Sequence, residues 1–126
     1  MFALVASAGG CQSDEAPADA IPVPSGRVVT LIEIVSDIRG PEGATARFRF
    51  LAPGLSEDEV EAAATDMEAL CNTFALARID GVVPKPQQII VSLSAAPVPF
   101  GEAAPDVVQF FEAYDVTGGS CVWSVF

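Results

Sequence analysis

Few residues in this chain could do chemistry, and their types exclude more than they offer. There is no histidine, which removes the commonest general base near neutral pH and the commonest metal ligand. A Ser-His-Asp or Cys-His nucleophile is therefore impossible, and a zinc site would have to use cysteine and carboxylates alone. What remains is three cysteines, an excess of acid and a few arginines. The densest acidic group is Glu57, Asp58, Glu61, Asp66 and Glu68. No EF-hand spacing links these acids, and acids at a helix start already have a structural reason. Glu102, Asp106 and Glu112 lie in and after a proline-rich stretch and could do acid–base work or hold a small ligand. Gly118-Gly119 and Gly40-x-x-Gly43 are too short for phosphate loops. No cofactor and no metal is expected.

Arg47 and Arg49 stand out in a chain of net charge −11. They share one parity of an alternating run and could bind an anion or an acidic partner; the plainer role is to keep a strand soluble. The overall charge argues against nucleic acid, since phosphate binding needs a basic surface that releases counterions. It equally disfavours electrostatic docking on anionic lipid.

The elements that must position these groups follow from periodicity. Arg27–Ile38 is dense in β-branched residues, with Val28, Ile32, Ile34 and Ile38 on one parity, and is expected to be a strand. After the turn residues Arg39 to Gly43, ATARFRFL alternates, with Ala46, Phe48 and Phe50 inward and Arg47 and Arg49 toward water. A helix follows. Ser56 and Glu59 have capping-box spacing, and Leu55 with Val60 occupy the positions of a hydrophobic staple. Val60, Ala63, Ala64, Met67, Leu70, Cys71 and Phe74 repeat at helical spacing and define its buried face. Gln88–Ser94 is a third strand with Ile89, Val91 and Leu93 inward and the serines outward. Residues 95–106 read as a long loop. Phe110–Val116 and Ser120–Phe126 flank Gly118-Gly119, a link suited to a primed hairpin turn; a short helix after Asp106 is the competing reading.

A two-residue turn sets the register: Val116 opposes Cys121 and Tyr114 opposes Trp123, while Phe111 and Phe126 fall opposite each other on the other face. That aromatic pair could be a partner surface or a second buried layer. Helical and strand periodicities then each put a cysteine, Cys71 and Cys121, on the core side. Their pairing would close a loop worth about 4 kcal/mol in the chain-entropy treatment. The alternative is two reduced core thiols. The fold class expected is α+β: an antiparallel or mixed sheet of about five strands with one helix on one face, in the order β-β-α-β-β-β.

The small, apolar residues 1–10 run into Cys11 through Ala8-Gly9-Gly10, which looks like the end of a bacterial lipoprotein signal with Cys11 as lipid acceptor. An unprocessed N-terminus with a free thiol is the other reading. Lipidation of Cys11 would leave Cys71 and Cys121 as the pair. Residues 12–26 lack periodicity and read as a flexible tether, leaving 27–126 as one stapled domain.

The segments ARFRFLAP, ATDMEALCNTFAL, QIIVSLS, PVPFGEAAP and QFFEAYDVTGGSCVW resemble an uncharacterised family of small exported proteins from Rhodobacter-type alphaproteobacteria. The resemblance spans roughly residues 21–126, includes the positions of Cys71, Cys121 and Trp123, and implies export and a shared fold but no activity. The sequence therefore points to a non-catalytic domain on the periplasmic side of the envelope. It would be lipid-anchored or secreted, meet the membrane only through Cys11, and bind a protein or envelope partner. The alternative is a ligand-binding module or enzyme using the carboxylates around residues 95–112. A third is a sheet that pairs with another copy of itself.

Overall fold

The computed structural model describes residues 17–40 and 43–124, with no side-chain placement for residues 37–40. Strands β1 (Thr30–Gly40) and β2 (Gly43–Leu51) precede one continuous helix. This helix runs through a 3-10 turn (Glu57–Glu59), α1 (Val60–Leu70), a π-helical turn (Cys71–Ala75) and α2 (Leu76–Ile79). Strands β3 (Gln88–Ser94), β4 (Gln109–Thr117) and β5 (Ser120–Ser124) complete the chain. The sheet order is β1-β2-β3-β4-β5, with β2 and β3 parallel and every other pair antiparallel. The helix is the crossover that a parallel pair requires. The architecture is thus the α+β arrangement expected, a mixed five-stranded sheet with one helix on one face.

The helix starts where its residues direct it. The Ser56 backbone N–H donates to the Glu59 carboxylate at 2.8 Å, and that bond holds the Glu59 carboxyl below its ordinary value. Ala63, Met67, Leu70 and Cys71 are buried against Phe48, Phe50, Ile89, Val91 and Leu93 of the sheet. Phe74 meets Phe50 edge-on at 5.6 Å. Val60, expected to be buried, is 53% exposed: it lies in the first turn of α1, past the edge of the packed stripe.

The terminal hairpin has the register derived from its glycines. Val116 pairs with Cys121 and Tyr114 with Trp123, and Gly118 and Gly119 both take positive φ, 59° and 80°, as a type I′ turn demands. Tyr114 and Cys121 therefore face the helix, and Cys71 and Cys121 are bonded with their Cα atoms 6.2 Å apart. Beside them the Asn72 side chain donates to the Glu68 carbonyl and accepts the Cys121 N–H at 3.0 Å.

Two further expectations change. The core parity of β1 is not that of Val28, which is exposed; Val29 is buried instead. Register shifts between Leu31 and Glu33 and between Val35 and Ile38 turn the strand partway along. Residues 17–26, read as tether, lie on the domain: Ile21 and Val23 pack against the core and the Ile21 N–H donates to the Val29 carbonyl. Within the densest acidic group, Asp66 stands apart. It is fully buried and accepts the Ser25 N–H at 3.0 Å and the Ser25 hydroxyl at 2.6 Å, with Arg27 Nε 3.9 Å away.

Candidate functional site

The sheet face away from the helix holds the arginines. In the register Glu33, Arg49, Ser92 and Phe111 form one cross-strand row, and Val35, Arg47, Ile90 and Ala113 the next. Alternation had placed Arg47, Arg49, Ser92 and Ser94 toward water, but Arg49, Ser92 and Ser94 are buried, with Arg49 only 6% exposed. The cause is the segment between β3 and β4. It leaves with an Ala95 N–H to Val108 carbonyl bond and folds back over this face, burying Val98.

Arg49 is the post that holds this cover. Its guanidinium donates to the Glu33 carboxylate and to the Val98 carbonyl, so a charged side chain is buried with both a counter-charge and a hydrogen bond, the condition under which burial is tolerated. Phe100, in the same cover, lies against both arginines, its ring centroid 5.5 Å from the Arg47 guanidinium carbon and 5.7 Å from that of Arg49. These are cation–π distances.

Arg47 differs from its neighbour. It forms no ion pair among the described residues, and its buried Nε has no hydrogen-bond partner there. Burial, and then the positive charge of Arg49, hold its guanidinium below the ordinary value. Both arginines line a cleft of about 270 Å³, together with Phe100, Glu102, Gln109 and Phe111. Such a cleft offers an anion the Arg47 guanidinium and aromatic walls, with the ion-paired Arg49 and the Glu102 carboxylate also on its lining. A bound anion would offset the charge of Arg47 and accept from its terminal nitrogens, which are not buried as Nε is.

A profile of a family of unknown function, DUF6497, matches residues 4–126. The chain belongs to that family. No curated protein and no solved structure matches it. In this DUF6497 domain, Arg47, Arg49, Glu102 and Phe111 of the sequence-derived surface come together in the cleft. Phe126, like Cys11, lies outside the described residues. The carboxylates are not gathered: Glu102 lines the cleft, Asp106 is exposed in the covering segment, and Glu112 is on the helix face, where it accepts the Trp123 indole N–H. Among the described residues no three Cys, Asp or Glu side chains converge as a metal site would require. Phe100 and Gln109 were missed. Phe100 sits in a segment without periodicity, and Gln109 begins a strand whose start no residue marks. No described helix is long and apolar enough to cross a membrane.

Proposed function

We propose that the protein is a non-catalytic, exported binding domain that holds a protein or envelope partner through an acidic group seated in the arginine–phenylalanine cleft. The observation that carries this reading is Arg47: a part-buried guanidinium, without an ion pair among the described residues, lining an open cleft in a chain of net charge −11. A carboxylate is the simplest group that answers it, because a planar pair of oxygens matches the guanidinium fork. The long-range field of the protein repels acidic partners, so the local geometry selects one that presents its acid at close range.

The Cys71–Cys121 bond supports export, since disulfides persist in oxidising compartments and are rare in reducing ones. Cys11 behind Ala8-Gly9-Gly10 supports a lipid anchor on the periplasmic side. The decisive experiment compares the full chain with its Arg47→Ala variant in amide chemical-shift titrations with a glutamate-rich peptide. Perturbations should cluster on β2, residues 98–102 and Phe111, and should weaken about tenfold in the variant. Equal binding by both chains would end the proposal. The anchor is read separately, by whether Cys11→Ser moves the protein from the membrane fraction to the soluble one.

A further inference from the structure

The other side of the sheet carries a cleft of opposite sign. It measures about 310 Å³ and lies between the helix and the terminal hairpin, lined by Ala64, Thr65, Glu68, Glu112, Tyr114 and Trp123. Trp123 is on the core-facing parity of β5, yet it is 59% exposed. Its indole N–H donates to Glu112 Oε1 at 2.5 Å, which ties down the edge of an otherwise open ring. Tyr114, its cross-strand partner, is 2% exposed, and no hydrogen bond among the described residues engages its hydroxyl. Burial, followed by the charges of Glu112 and Glu68, raises its phenol far above the ordinary value, so both carboxylates bear on this one polar group. Neither carboxylate forms an ion pair among the described residues.

We propose that this cleft binds an alkylammonium group, presented either by a free diamine or by a lysine side chain of a partner. Each part of such a group has a counterpart. The ammonium meets two carboxylates and the phenol oxygen of Tyr114, able to accept from it. The charged end and the methylenes next to it lie against the indole, which attracts a cation across its face. The rest of the stem runs along Ala64. A divalent metal ion fits poorly, since hard cations want six or more oxygens and two carboxylates are at hand. The net charge of −11 concentrates cations at the surface and favours encounter. No residue here belongs to the arginine cleft, so either site stands if the other fails.

Trp123 is the one tryptophan of the chain, so its emission reports directly on the cleft. The disulfide-bonded full chain is titrated with 1,4-diaminobutane and, separately, with a lysine-rich peptide; sodium chloride at matched ionic strength and the uncharged 1,4-butanediol serve as controls. The expected result is a saturable change in emission, with a dissociation constant on the order of millimolar for the diamine. Affinity falls about fivefold in Glu68→Gln and further in the Glu68→Gln/Glu112→Gln double variant, and is unchanged in Arg47→Ala. Glutamine keeps the acceptor for the indole N–H, so loss of binding reads the charge and not a displaced ring. Saturation by the diamine alone names a small amine as the ligand; at least tenfold tighter binding of the peptide names a partner's lysine. Overturning results are a change that sodium chloride reproduces, or equal affinity in the double variant.

Discussion

The two faces of the sheet are both covered, and in opposite ways. On one, Phe48, Phe50, Ile89, Val91 and Leu93 meet an amphipathic helix, and a disulfide joins that helix to the last strand. On the other, Arg49, Ser92 and Ser94 are buried beneath a loop, held by one arginine bonded to Glu33 and to the Val98 carbonyl. The first cover removes apolar surface from water and is braced covalently, so it carries stability. The second covers polar groups, gains little from their burial and leaves Arg47 short of partners, so the proposed recognition is placed there.

The largest test of this division is removal of the staple. The Cys71→Ser/Cys121→Ser variant should lose about 4 kcal/mol, read as a lower urea midpoint, while Arg47→Ala should stay within about 0.5 kcal/mol of the parent. Equal loss in both would erase the distinction. Next comes Asp66→Ala, which strips the acceptor from Ser25 and a negative charge 3.9 Å from Arg27. A loss of about 3 kcal/mol is expected, with faster amide exchange in residues 17–26.

Arg49→Met probes the weaker cover. It should reduce global stability by about 1–2 kcal/mol yet speed exchange of the Ala95 amide selectively, leaving helix amides protected. Uniform acceleration would mean that the two covers open together. Tyr114 gives a pH test of the helix face. Its folded value lies above the ordinary 10.0, through burial first and then Glu112 and Glu68. Stability should thus be intact below that ordinary value and fall above it, where the unfolded chain ionises first. Phenolate absorbance should lag the ordinary titration until unfolding. The smallest effect is at Glu59, whose carboxyl the Ser56 N–H holds below its ordinary value. Its contribution is present at neutral pH and fades as pH falls through that lowered value. The acid limb of helix circular dichroism should shift slightly in Glu59→Gln.

Legibility followed the same division. Both periodicities that converge on Cys71 and Cys121 belong to elements with strong local signals, a capped helix and a two-glycine turn, so the helix face could be built residue by residue. The back face could not. Arg49, Ser92 and Ser94 obey strand alternation, and only the aperiodic segment containing Val98 and Phe100 makes them buried. β1 was misread for a related reason: the register shift after Leu31 reverses parity, and no glycine or proline marks it. Asp66 looked like one of several helix acids because its partner, Ser25, lies in a stretch with no pattern. Of the candidate site, Arg47, Arg49, Glu102 and Phe111 were legible as types worth noticing. Their convergence was set by β2–β3 pairing and a loop path that composition does not encode.

One small contact bears on the open edge of the sheet. β5 is the last strand of the sheet, and Cys121 pairs with Val116, whose own N–H points inward to Gln87. The Cys121 N–H therefore points outward, where it could template another chain, but the Asn72 amide has already taken it. One side chain thus occupies an outward donor on the border that lies beside the disulfide. Asn72→Ala should free that donor, and concentration-dependent association in light scattering would register the change.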